Sequence, residues 1–168
     1  MKARRRLIRR ATLADVQAIL ETVRDYARRE LMLPLSYGDV VERLRDFLLL
    51  AEEPRGPVAG TVAVRATWDG LAELRSLAVA ESSRGRGHGR ALVAAAKAEA
   101  ARLGARTLFT LSYIPDFFRK MGFSEVDRQS LPHKVWLDCV KCPKFPDCGE
   151  TALACPVEPK DGRRHTVV

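Results

Sequence analysis

The chain has 168 residues, of which 46% are hydrophobic and 30% charged, the balance of one globular domain rather than a disordered or membrane-spanning chain. Its 29 Lys and Arg outnumber 21 Asp and Glu for a net charge of +8. Six of these cations (Lys2, Arg4, Arg5, Arg6, Arg9 and Arg10) crowd the first ten positions, so the body is nearly neutral, and no aromatics alternate with the arginines as a base-stacking groove would need. Apolar runs stay far below the ~20 residues of a bilayer helix. The basic start leads into Thr12, Asp15 and Gln17 rather than a signal-peptide core. A soluble cytoplasmic protein with no membrane partner is expected.

A short strand is predicted over 6–9. Thr12 and Asp15 have the spacing of an N-cap box, and Val16, Ile19, Leu20, Val23 and Ala27 recur at helical spacing, giving a helix to about residue 29. Residues 31–38 read as a loop broken by Pro34, and Val40, Val41 and Leu44 mark a second, shorter helix. Phe47–Ala51 is a compact apolar strand. Val58–Trp68 alternates as a strand does, Asp69-Gly70 signals a hairpin, and Leu71–Val79 returns. After the turn SSRGRGHGR comes a helix with Leu92, Val93, Ala96, Ala100 and Leu103 on one side, ended by Gly104. Residues 106–111 form a strand, and Pro115 begins a short helix ending at Gly122. Stretches 123–126 and 134–137 read as a last strand pair. The order β-α-α-β-β-β-α-β-α-β-β, without internal repeat, predicts an α/β (α+β) fold with one mixed sheet flanked by helices. The domain is expected to occupy 1–137, with 138–168 as a Cys-rich extension whose end, from 158, is loose.

The turn Arg84-Gly85-Arg86-Gly87-His88-Gly89-Arg90 carries the first chemical signal. Glycines let the backbone approach a ligand, and the free N–H groups at the following helix start point outward with partial positive charge. Three arginines add full charges, so the turn suits phosphate oxygens. It is not a P-loop, which needs Lys and then Ser or Thr after its last glycine. Nor is it the dinucleotide fingerprint, because these glycines fall at every second position.

Arg84-x-x-Gly87-x-Gly89, after a strand ending LAV and before an Ala-rich helix, resembles the acyl-CoA loop of the GNAT acetyltransferase superfamily. With LAELRSLAV, LSYIPDFFRKMGF and VDRQSLPHKVW, the chain is similar to the acetyltransferase domain of N-acetylglutamate synthases, particularly the short stand-alone form. The resemblance implies an acyltransferase that moves the acetyl group of acetyl-CoA to the α-amine of L-glutamate, the entry to arginine synthesis. It further implies that Arg84, Gly85, Arg86, Gly87, His88, Gly89 and Arg90 hold the pyrophosphate. The pantetheine arm would lie along Leu77, Ala78 and Val79, where a backbone N–H would hold the oxyanion. The longer synthases carry an amino-acid-kinase-like domain for which 168 residues leave no room, so arginine is not expected to inhibit through such a site.

Acetyl transfer needs a deprotonated amine, a stabilised oxyanion and a departing thiolate. Glu73 is the candidate base: it matches the glutamate of the synthase motif and shares a strand face with Arg75, Leu77 and Val79. An acid there is costly unless paired or used, and an ion pair with Arg75 is the alternative. The usual tyrosine acid of the family falls at the Phe117-Phe118 pair and is missing, which leaves Tyr113 as the nearest phenol, or an unassisted thiolate. Arg75 and Lys134, with Ser76 and Ser112 as hydrogen-bond donors, are the candidates for an acceptor with two carboxylates. His133 reads as a solvated neighbour. Leu35 stands where close relatives would have arginine, so glutamine or another amino acid stays open as acceptor.

Cys139, Cys142, Cys148 and Cys155 lie within seventeen residues. A Cys-x-x-Cys pair among prolines suits a zinc knuckle, but the later gaps do not repeat it, so zinc and reduced structural cysteines both stay open. The expected partners are small molecules, with a homodimer left open. The rival readings are acetylation of another amino acid, small amine or protein N-terminus, and a nucleic-acid-binding module built from the basic arm and the cysteines. The last leaves Glu73 and the glycine turn without a role.

Overall fold

The computed structural model of the chain describes residues 6–132 and 139–160. Among them the elements follow the predicted order of types. They are β1 (Leu7–Arg10), α1 (Val16–Arg28), α2 (Tyr37–Glu42), β2 (Phe47–Ala51), β3 (Val58–Trp68), β4 (Leu71–Val79), α3 (His88–Arg102), β5 (Thr107–Ser112), α4 (Pro115–Arg119), β6 (Ser124–Glu125) and β7 (Thr151–Pro156). The strands form one mixed sheet, ordered β1-β2-β3-β4-β5-β7-β6. The chain divides into two compact units, one made from the chain up to Val64 with Leu74–Ala96, the other from Arg65–Glu73 with the chain from Lys97 onward.

In the first unit β1 pairs antiparallel with β2, and β2 with β3, through partners such as Ile8↔Leu50 and Leu49↔Thr61. The turn into α1 is held by Asp15. Its carboxylate accepts from the Thr12 N–H and hydroxyl, both at 2.8 Å, and from two nitrogens of Arg9, both at 2.7 Å. The Arg9 guanidinium holds the Asp15 carboxyl well below the usual carboxylate range, against the opposing effect of burial. A second box starts α2: the Ser36 N–H donates to Asp39 (2.8 Å), and the Asp39 N–H donates to the Ser36 hydroxyl (3.1 Å). That Ser-x-x-Asp spacing is why Gly38, expected in a loop, lies inside the helix. Val16, Ile19, Val23, Val40, Phe47, Leu49, Ala63 and Ala78 make the core, with Tyr26 and Leu35 packed against it. Gly60 permits close packing, since a β-carbon there would meet Leu92 at 2.9 Å and the Ala78 carbonyl at 3.0 Å.

In the second unit the start of β4 pairs parallel with β5 (Leu71↔Thr107, Glu73↔Phe109). β7 runs antiparallel to both β5 (Leu108↔Cys155) and β6 (Ser124↔Ala154). Phe109, Leu131 and Ala152 form its core, with Leu71, Leu111, Val126 and Ala154 against them. The partner of β6 is thus Thr151–Pro156, within the segment expected to be an extension. Stretch 134–137 lies outside the described residues. Of the tail expected to be loose from 158, residues 161–168 lie outside the described residues; up to 160 the chain is bonded, the Val157 N–H donating to Arg106 O and the Lys160 N–H to Ala101 O, both at 2.9 Å.

Asp15→Asn is expected to lower stability at pH 7 by about 1–3 kcal/mol. A carboxyl whose folded pKa is depressed contributes fully above its unfolded value of ~3.9 and loses that contribution as pH falls through the folded value. Urea unfolding from pH 2 to 7 should therefore show the two proteins converging in acid. Equal stability at pH 7 would contradict the role given to Asp15.

Candidate active site

In the first unit the glycine turn begins where β4 ends. Ser76 has φ +50°, a left-handed conformation that strains a non-glycine residue inside a strand. At Val79 both peptide groups bond one side chain: the Tyr26 hydroxyl accepts from the Val79 N–H (3.2 Å) and donates to its carbonyl (3.0 Å). A single turn of 3-10 helix, Glu81–Ser83, leads to Arg84. Gly85 and Gly87 follow with φ +75° and +76°. These left-handed steps are open to glycine at no steric cost, and they fold the chain directly into α3.

The bond from the Ala91 N–H to the Gly87 carbonyl (3.2 Å) starts that helix. Its first amides therefore have no partner within the helix. The Arg84 guanidinium sits 5.0 Å from the centre of the Tyr26 ring, and its Nε and Nη2 are buried without a hydrogen-bond partner. Buried donors without acceptors are costly, and a diphosphate supplies the acceptors they lack. The turn fits that group. The neighbouring side chains are used differently: Arg86 pairs with Glu52 at 2.5 Å, and buried His88 meets the same oxygen at 3.0 Å. The Arg86 carbonyl also accepts from Arg6 at 2.6 Å. Arg86 and His88 thus brace the turn through Glu52 and offer a ligand their backbone, whereas Arg90 is exposed.

In the second unit Glu73 is half-buried on β4, opposite Phe109 of β5. Just past the end of β5, the Tyr113 hydroxyl accepts from Lys144 Nζ at 3.2 Å and lies 3.9 Å from Cys148 Sγ. Burial pushes the Tyr113 phenol above its ordinary value while Lys144 opposes the rise. Tyr113 therefore carries its proton at neutral pH, as a general acid must. Cys148 Sγ lies 3.4 Å from Glu150, and Arg128 donates to the Cys148 carbonyl at 3.1 Å. The Cys139 thiol is pushed up by burial, with Arg128 opposing and the charge of Glu73 adding to the rise. Glu73 is therefore within electrostatic reach of the cysteine segment. The hydroxyl of Ser112 accepts from the Ile114 N–H at 3.0 Å. Lys134 and His133 lie outside the described residues.

The cysteines do not converge as one four-thiolate set. Cys155 is on β7, 2% exposed, where burial pushes its thiol up. Among the described residues no group of three or more His, Cys, Asp or Glu is arranged to hold a metal ion. Spacing alone leaves the cysteines open, because Thr151–Pro156 alternates too briefly to announce the strand that holds Cys155. Tyr26, Glu52 and Lys144 were also missed, since each acts across a long stretch of chain that no local pattern encodes.

The sequence model of an acetyltransferase (GNAT) domain matches residues 45–125. An uncharacterized N-acetyltransferase of Chlorobaculum tepidum is 38% identical over 146 residues, covering 87% of this chain and 93% of its own. An amino-acid acetyltransferase of Mycobacterium tuberculosis is 33% identical over 134 residues, 79% of this chain and 76% of that one. The crystal structure of Rv2747 from Mycobacterium tuberculosis, in complex with CoA and NLQ, superposes with a TM-score of 0.77 at 26% identity, covering 90% of this chain and 99% of that one. This chain belongs to the GNAT family of N-acetyltransferases. Among the described residues no helix is long and apolar enough to cross a membrane.

Cys155→Ser, which puts a hydroxyl into an apolar strand interior, is expected to cost about 1–3 kcal/mol in urea unfolding. Half-buried Cys142→Ser should change stability by less than about 0.5 kcal/mol. Equal losses at both positions would restore the reading in which the cysteines act as a set.

Proposed function

We propose that this protein transfers the acetyl group of acetyl-CoA to the α-amine of L-glutamate. The observation that carries the reading is the Arg84 guanidinium, whose Nε and Nη2 are buried without a hydrogen-bond partner, beside a glycine turn that opens α3. Such a turn offers amide N–H groups and a cation to a diphosphate and calls for no metal of its own. The similar Mycobacterium tuberculosis structure with CoA bound supports the same carrier here. Acetyl-CoA supplies an activated thioester when bound.

Each remaining task falls to a residue of the chain. The N–H groups of residues 84–90 hold the diphosphate, and Leu77, Ala78 and Val79 offer a strand edge to the arm. Glu73 takes the proton from the acceptor ammonium so that its lone pair is free to attack. Tyr113, its phenol raised by burial, gives its proton to the departing sulfur and is restored by the second proton that the nitrogen sheds as the amide forms. Arg75 and Lys134 take the acceptor's carboxylates, with Ser76 and Ser112 as further hydrogen-bond donors. The amino-acid acetyltransferase relative supports an amino-acid acceptor. Leu35 packs into the core of the first unit instead of offering a cation. That observation favours a second reading, in which an amino acid with one carboxylate, such as glutamine, is preferred.

The test is thiol release from acetyl-CoA across a panel of amino acids. Glutamate is expected to lead. Glu73→Gln should lower kcat/KM by about 10²- to 10⁴-fold, and Arg75→Ala should raise the KM for glutamate about 10-fold. Preference for glutamine would select the second reading. Release that is the same with and without every amino acid would overturn both.

A further inference from the structure

Strand-edge peptide groups must be satisfied, and alternate residues of a strand turn theirs to opposite sides. The Ala80 N–H is spent on the Ala59 carbonyl of β3 at 2.9 Å. The peptide groups of Val79 therefore face the other way, where no β3 partner can reach them. There the Tyr26 hydroxyl does both jobs at once, accepting from the Val79 N–H (3.2 Å) and donating to the Val79 carbonyl (3.0 Å). One donor and one acceptor, presented together to a single strand residue, are what an amide group would present. The hydroxyl reaches this position from the last turn of α1, 53 residues away in the chain.

The same ring carries the Arg84 guanidinium, 5.0 Å from its centre, and that guanidinium has buried nitrogens with no acceptor. A carrier with a diphosphate at one end and an amide-bearing arm would thus meet one tyrosine at two points. Its amide needs the place the hydroxyl holds, and its diphosphate needs the cation that rests on the ring.

We propose that Tyr26 is a positioning residue, a latch whose hydroxyl stands in for the amide arm of the acyl carrier at Val79 and is displaced when that arm binds. The inference rests on the reading of the glycine turn as a CoA site. While the latch is closed the strand edge is satisfied and unavailable, so the arm-competent state is only a fraction of the population. Apparent affinity is lowered by that fraction. The two hydrogen bonds are neutral, so the net cost of opening is small and the latch does not block turnover. Displacement also unseats the ring under Arg84, which links occupation of the strand edge to the position of the cation that meets the diphosphate.

The test is calorimetric titration of wild type and Tyr26→Phe with three probes: CoA, pantetheine (arm without diphosphate) and ADP (diphosphate without arm). The phenylalanine keeps the ring and removes only the hydroxyl. CoA and pantetheine are expected to bind the variant about 3- to 10-fold more tightly, with ADP unchanged. Amide exchange at Val79 should be faster in the unliganded variant than in wild type and equally slow in both once CoA is bound. CoA affinity that is unchanged or weaker in the variant overturns the latch. So does an equal gain for ADP, which would locate the effect at Arg84 alone. Failure of CoA to bind wild type at all removes the CoA reading itself and the latch with it.

Discussion

Everything proposed for this chain depends on amide groups that the fold leaves without internal partners. A strand ends at Val79, two left-handed glycines turn the chain, and a helix begins at His88. The first N–H groups of that helix cannot bond within it. Arg84 adds a cation whose nitrogens lack acceptors, while Glu52 fixes the two neighbouring side chains that would otherwise swing freely. Donors are gathered and acceptors withheld, which is the electrostatic opposite of a loop designed only to connect. In the proposed reading, an anion with several oxygens would complete the arrangement.

The second unit gathers titratable groups instead of donors. Lys144, Tyr113, Cys148 and Glu150 follow one another in contact, and Arg128 and Cys139 extend the chain of interactions toward Glu73. Burial and Lys144 act on Tyr113 in opposite directions, and burial wins. The segment that supplies Lys144 and Cys148 belongs to the Cys-rich extension expected over 138–168, and it supplies the hydrogen-bonding surroundings of Tyr113 and then β7 of the sheet.

The local signals in the sequence were strong where one short stretch contains the whole cause. Asp69-Gly70, the alternation over Val58–Trp68 and the apolar run Phe47–Ala51 locate β2, β3 and β4 without help from the rest of the chain. The glycine turn was legible for the same reason, since its residues are contiguous. Local spacing decides less where the cause is distant. The spacing of Cys155 leaves zinc and a structural thiol both open, and it is the pairing with Leu108 that puts it in a strand interior. Nothing local singles out Tyr26, and only the folded chain carries its hydroxyl to Val79. The start of α2 was legible in principle, because Ser36 and Asp39 have capping-box spacing, but Pro34 and Gly38 suggested a longer loop.

A crystal structure of the protein with CoA examines the central claim most directly. The account predicts the diphosphate within hydrogen-bonding distance of the N–H groups of residues 85–90, with the Arg84 guanidinium on its oxygens. A diphosphate bound at any other surface, with the amides of the glycine turn facing solvent, would contradict it.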